Sequence, residues 1–249
     1  SLLLAGIQNK VEINCLSDVP GGGTGLGSSS SFTVASLNAA FNFIGIQKSN
    51  LDLGKIASEI EIDTLKKPIG IQDQYISALG GFQFIEFKPK NVVSNQNLLD
   101  KDQDILWKNF YLIYTDQSRN SGSVLLEQKT NIQKNEKRIN QIVDLAFQAK
   151  KSVLSKSYDD LGPLLDEGWS IKKLLSSNIT SKYVDEMYSH GIHNGATGGK
   201  LCGAGNGGFL LFYVPRNNHI KFESAFSDKK ILKFTCAKLG AATILNDEE

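Results

Sequence analysis

Cysteine and histidine are scarce in this chain, and neither sign of charge is in excess. Cys15, Cys202 and Cys236 stand far apart and form no Cys-x-x-Cys pair, which excludes a disulfide framework and a cysteine zinc site. His190, His193 and His219 show no metal spacing with carboxylates. Lys and Arg number 27 against 26 Asp and Glu, so no net field gathers nucleic acid or an anionic membrane. No apolar run approaches the roughly 18–20 residues that cross a bilayer, and Ser1–Gly6 lacks the basic start of a signal peptide. A cytoplasmic protein with reduced thiols, free of nucleic-acid and membrane partners, is expected. What is present is enough to fold: 249 residues, 41% hydrophobic, without repeats or a low-complexity tail. Leu2-Leu3-Leu4 reads as the inside of a fold, so further protein N-terminal to Ser1 is expected.

Glycine carries the information on organisation. Of 23 glycines, 12 fall in Gly21–Gly27 and Gly195–Gly208, where the backbone must turn sharply or approach something closely. Val11–Leu16 alternates as a half-buried strand and leads into the first cluster. Ser28–Ile46 and Leu51–Leu65 read as helices, stopped at Pro68-Ile69-Gly70, and Ile71–Leu79 as a short helix. Phe82–Phe87 alternates as a strand, Lys88–Asp104 is polar and reads as a loop, and Trp107–Thr115 reads as a buried strand. Ser121–Ser157 and Ile171–His190 are long helical patterns around a loop at Gly162-Pro163. Phe209–Val214 is a buried strand, Lys229–Phe234 a short last one, and Ala241–Leu245 fits neither state clearly. A boundary near residue 95 divides the chain into domains 1–95 and 96–249.

The stretch DVPGGGTGLGSSSS, Asp18 to Ser31, puts five glycines and a serine run at the start of a helix. Glycines let backbone N–H groups point at a phosphate, the helix start adds unsatisfied donors, and serine hydroxyls can ligate magnesium. The plainer alternative is a helix cap after a flexible turn, although a cap needs one serine and no glycine run. No Lys follows Gly27, so this is not a Walker loop. Gly203, Gly205 and Gly208 match G-x-G-x-x-G but precede a strand instead of following one, which argues against dinucleotide binding.

Three stretches together resemble the GHMP kinases, the family of galactokinase, homoserine kinase and mevalonate kinase. The glycine–serine loop is similar to the family's ATP-phosphate motif PxxxGLGSSSA. PIGIQDQYISALGGF, from Pro68, resembles the segment with the catalytic Asp, here Asp73. GGKLCGAGNGGFLLFYVP, from Gly198, resembles the C-terminal motif. The loop has four residues between Pro20 and Gly25 where the family has three, Ser31 replaces an Ala, and Asn206 stands where glycine is usual. The combination of Gly-x-Gln-Asp-Gln-Tyr, Thr-Asp-Gln-Ser-Arg after a strand and the GGKL and GAG of the last stretch is most similar to members acting on a heptose 7-phosphate. The resemblance implies an α+β two-domain fold, a ribosomal S5-like part followed by a ferredoxin-like domain, with the active site between halves. It also implies an N-terminal segment preceding this chain, since the family's first motif is missing from it.

Implied cofactors are ATP and Mg²⁺, and the implied partner is a small sugar phosphate. The ATP phosphates are assigned to Gly22, Gly23, Thr24, Gly25, Leu26, Gly27, Ser28, Ser29 and Ser30. Magnesium is assigned to Ser29 and to Glu61, twelve residues before Asp73, with Glu59 as a fallback. A surface helix carboxylate is the plain alternative for Glu61. Asp73 is expected to accept or orient the hydroxyl proton, with Gln72 and Gln74 as its holders, and helix capping is the competing role. Gln72, Ser118, Arg119, Gly203 and Gly205 are assigned to substrate binding, Arg119 because a guanidinium matches phosphate bidentately. Lys200 is balanced between a phosphate contact and solvent. Transfer to the anomeric hydroxyl of D-glycero-D-manno-heptose 7-phosphate is the expected reaction, with galactose, fucose or a uronic acid as rival acceptors. A nucleotide sensor of the same fold is the rival that does no chemistry; it has no need of Asp73.

Overall fold

The computed structural model describes residues 1–8, 11–18, 23–89, 92–98, 104–117 and 122–244. The chain divides into one unit of Ser1–Gly22, Gly27–Leu99 and Ala237–Glu249, and another of Gly23–Leu26 and Asp100–Cys236.

In the first unit, helices α1 (Ser28–Phe43), α2 (Asn50–Glu59) and α3 (Gln72–Leu79) precede a hairpin of β1 (Gln83–Lys88) and β2 (Val92–Asn97). Val34, Leu37 and Phe41 recur on one face of α1 and bury against Leu53 and Ala57 of α2 and Ala78 of α3. Each large side chain so buried contributes about 1.5–3 kcal/mol. Ser49 caps α2 by accepting from the Asp52 amide at 3.1 Å. Gly54 lets α3 approach α2, since a Cβ there would stand 3.0 Å from the Tyr75 ring. Ala241, in the stretch of unclear pattern, donates its amide to the Ala78 carbonyl at 3.0 Å, which docks the C-terminal segment on the end of α3.

The second unit holds helices α4 (Asp104–Lys108), α5 (Gly122–Thr130), α6 (Glu136–Leu154), α7 (Leu161–Lys173), α8 (Lys182–His193) and α9 (His219–Ala225). Its strands are β3 (Phe110–Tyr114), β4 (Gly198–Leu201), β5 (Phe209–Tyr213) and β6 (Ile231–Leu232). The sheet order is β4-β5-β3-β6 with every pairing antiparallel. Strand, helices, two strands, helix and strand in that order make the split β-α-β pattern of a ferredoxin-like domain. Tyr111, Ile113, Leu201, Leu210 and Phe212 of the sheet pack with Trp169, Met187, Tyr188 and Phe222 of the helices and Phe226 just past α9.

Several expectations need correction. Val11–Leu16 is not a strand: its residues are largely exposed, and among the described residues nothing pairs with its backbone, without which an extended segment is not held. The polar stretch after Lys88 contains β2, whose backbone pairs Val92–Asn97 with β1. Trp107 belongs to α4, so β3 starts later than its apolar run suggests. The long pattern from Ser121 breaks between α5 and α6. Gly162-Pro163 is not a loop but the first turn of α7, where a missing proline N–H costs no helical bond.

Candidate active site

In the first unit the serine run and Glu61 meet. Gly27 takes a left-handed conformation (φ 70°), and α1 begins on Ser28 with no side-chain cap. The serines are used otherwise: Ser29 Oγ donates to Glu61 Oε1 at 2.8 Å and Ser30 Oγ to Glu61 Oε2 at 2.7 Å. Among the described residues no side chain caps the first amides of α1, the condition under which a helix start receives an anion.

Glu61 is reached by a π-helical turn, Ile60–Thr64, that continues α2. Glu61 follows Leu53 and Ala57 on the buried face of this helix and is fully buried, while Glu59 and Asp63 remain exposed. Glu61 is therefore not a surface carboxylate, and Glu59 does not face the serines. Gln74 Nε2 donates to Glu61 Oε2 at 2.6 Å, and Lys67 Nζ stands 2.8 Å from Oε1. Lys67 Nζ also donates to Ser29 Oγ at 2.7 Å. Burial pushes the Glu61 carboxyl up, but the bonds from Lys67, Ser30, Ser29 and Gln74 outweigh it and hold the group below the ordinary carboxylate range.

Asp73 lies in the first turn of α3, with Ile71 at the cap position, so it does not cap the helix. Its carboxyl sits beside Gly27, where an added Cβ would stand 3.5 Å from Asp73 Cγ. Gln72 Nε2 donates to Asp73 Oδ1 at 3.1 Å. Gln74 does not hold Asp73: its side chain lies about 100° further round the helix, on the buried face, and its amide goes to Glu61. Gln74 Oε1 is buried without a hydrogen-bond partner among the described residues. Ser29 Oγ, the Glu61 carboxylate and that unpartnered oxygen are the hard donors magnesium takes. Among the described residues no three His, Cys, Asp or Glu cluster, so substrate oxygens and water would complete such a shell.

In the second unit the remainder of the glycine loop is packed backbone to backbone. A Cβ on Gly25 (φ 74°) would meet the Cys202 carbonyl oxygen at 2.5 Å, and one on Gly203 would meet Gly25 Cα at 2.6 Å. Phe209 donates its amide to the buried Thr24 carbonyl at 3.3 Å, and the Thr24 hydroxyl accepts from the Leu26 amide at 3.4 Å. Gly205 is pressed against Ile179, a Cβ there falling 2.7 Å from the Ile179 carbonyl oxygen. Gly23 is exposed, Ser28 is half-buried, and Lys200 is half-buried in β4 opposite Leu211. Gly22, Ser118 and Arg119 lie outside the described residues. Reading of the sequence missed Lys67. Its only signal there is a Lys-Lys pair ahead of Pro68, which reads as a solvated turn.

The first unit thus sets a serine-led helix against a buried carboxylate, and the second is a ferredoxin-like α+β unit. Residues 2–81 match the family model described as GHMP kinases N terminal domain. A D-glycero-alpha-D-manno-heptose 7-phosphate kinase of Campylobacter jejuni is 30% identical over 82% of this chain and 61% of its own length. A mevalonate kinase of Thermococcus onnurineus is 26% identical over 83% of this chain and 60% of its own. The structure of a D-glycero-D-manno-heptose 1-phosphate kinase from Bacteroides thetaiotaomicron superposes with a TM-score of 0.64 at 26% identity, over 88% of this chain and 62% of that one. The chain thus spans about three fifths of the curated relatives it matches. Among the described residues no helix is long and apolar enough to cross a membrane.

Proposed function

We propose that this chain forms part of a cytoplasmic, ATP-dependent sugar kinase. It transfers the γ-phosphoryl group of ATP to the anomeric hydroxyl of D-glycero-α-D-manno-heptose 7-phosphate, giving the 1,7-bisphosphate and ADP, on a route to nucleotide-activated heptose for surface polysaccharide. The observation that carries the proposal is the convergence of Ser29, Ser30 and Glu61 beside Asp73 at the uncapped start of α1. Phosphoryl transfer needs charge neutralised on the β and γ phosphates and a hydroxyl held in line, and these groups are suited to both tasks.

In this reading the amides of Gly22 to Gly27 and of Ser28 to Ser30 bind the phosphates. Ser29 and Glu61 hold Mg²⁺, which when bound neutralises charge that develops on the phosphate oxygens. Asp73 orients the acceptor hydroxyl and takes its proton, steadied by Gln72. Ser118 and Arg119 are proposed to grip the 7-phosphate, and Gly203 and Gly205 to leave room for the bound molecules. The domain division near residue 95 is kept as part of the proposal.

Heptose 7-phosphate is favoured as acceptor by the 30% identical relative. The 26% identical mevalonate kinase supports a second reading, in which another small alcohol is phosphorylated by the same residues. ADP release by the whole protein, measured with heptose 7-phosphate, mannose 6-phosphate, galactose, fucose and mevalonate, separates the two. Turnover confined to heptose 7-phosphate is expected. Turnover with another acceptor overturns the substrate, and bound ATP without turnover on any of them points to a sensor.

A further inference from the structure

Lys67 stands where the proposed metal would. Its ammonium is within 2.7 Å of Ser29 Oγ and 2.8 Å of Glu61 Oε1, the two oxygens assigned to magnesium. We infer that Lys67 is the resident cation of this site: it neutralises Glu61 while the site is empty and must withdraw before a divalent cation can reach Ser29 and Glu61. The inference rests on the magnesium reading above.

Glu61 is fully buried, and a buried carboxylate is retained only when paired and hydrogen-bonded. Ser30 and Gln74 supply neutral donors, and among the described residues within hydrogen-bond reach Lys67 alone supplies charge. An ammonium has three donors and no lone pair, so it occupies the oxygens a metal would take, cannot itself be a ligand and repels a second cation there. The backbone that anchors the side chain is fixed, and among the described residues its tip is held by Ser29 and Glu61 alone. The Lys67 amide donates to the Glu61 carbonyl at 2.9 Å, Lys66 takes a left-handed conformation (φ 54°), and Pro68 follows. The Lys67 side chain remains 36% exposed, which leaves water open to a withdrawing ammonium. The consequence is metal entry coupled to nucleotide: a free divalent cation competes with a tethered one, whereas a cation arriving with phosphates also brings anionic oxygens that Lys67 can follow.

The test is Mn²⁺ binding without nucleotide, read from the electron paramagnetic resonance signal of free Mn²⁺, for the whole protein and its Lys67→Met variant. Met keeps the stem and removes the charge. A neighbouring charge shifts an ionic equilibrium by about one to three powers of ten, so Lys67→Met is expected to bind Mn²⁺ about tenfold or more tighter than the parent. Adding Glu61→Gln is expected to abolish that gain. Should circular dichroism show that Lys67→Met does not fold, Lys67→Gln, which keeps one donor for Glu61, takes its place. Equal or weaker Mn²⁺ binding by the variant, with Mn-ATP still bound by both proteins, overturns the inference and leaves the kinase reading standing. Failure of the parent to bind Mn-ATP overturns the magnesium reading as well.

Discussion

Removal of the Glu61 carboxylate is expected to destabilise the first unit by an amount the structure allows to be worked out. Four donors converge on it. Ser29 is exposed and Lys67 is 36% exposed, so both can turn to water in Glu61→Ala. The side chains of Ser30 and Gln74 are buried and cannot. A buried donor left without an acceptor costs about 1–3 kcal/mol, so two give about 2–6 kcal/mol. Glu61→Gln should cost less, about 1–3 kcal/mol: Gln74 can flip its amide and offer the new NH₂ group the oxygen that now lacks a partner, while the charge-assisted bond to Lys67 is lost. The pH dependence has a definite sign. The folded-state pKa of Glu61 is lowered, so its stabilisation is present at neutral pH, above the unfolded value of about 4.3, and is lost as pH falls through the lowered value. Urea unfolding followed by far-ultraviolet circular dichroism is the assay, because both tryptophans, Trp107 and Trp169, lie in the second unit and their fluorescence does not watch Glu61. A loss below about 1 kcal/mol in Glu61→Ala, or an acid limb unchanged in Glu61→Gln, refutes the reasoning.

Gly25→Ala should cost about 2–4 kcal/mol, combining a left-handed backbone with a Cβ driven into the Cys202 carbonyl; urea unfolding followed by tryptophan fluorescence reads it, and a loss under about 1 kcal/mol contradicts the packing. Phe212→Ala, at a fully buried ring stacked near Tyr188, Phe222 and Phe226, should cost about 3–5 kcal/mol by the same assay.

Much of the fold was legible because its signals are local. The apolar face of α1, the short α3 before Gly80 and the buried run of β5 each lie within a dozen or so residues and owe little to distant partners. The two strands that escaped notice lack an apolar pattern. In β2, Val92–Asn97 is mostly polar and is defined by its ladder with β1. In β4, Gly198 and Gly199 are required because a Cβ would overlap the Gly162 and Leu211 carbonyls, so the strand hides in what reads as a glycine cluster. Conversely, Val11–Leu16 has the pattern of a strand without a partner among the described residues. Of the candidate site, Ser29, Glu61 and Asp73 could be named from resemblance to the motifs of a known family, but their surroundings could not. Glu61 continues the buried face of Leu53 and Ala57, four residues apart each, but nothing in that spacing shows which side chains meet it, and Lys67 joins it across a six-residue spacing that matches no helix face. Gln74 was expected on Asp73, and only its position on the buried side of α3 shows otherwise.

Asp73→Asn tests the proposed chemistry most directly. Asn keeps the shape beside Gly27 and the contact with Gln72 but cannot take a proton. In the whole protein with Mg-ATP and heptose 7-phosphate, kcat from ADP release is expected to fall by about 10²–10⁴ with KM little changed, which marks a loss confined to the transition state. A variant that folds and turns over within a few-fold of the parent would contradict the assignment of Asp73, and with it the account of this site as a centre of phosphoryl transfer.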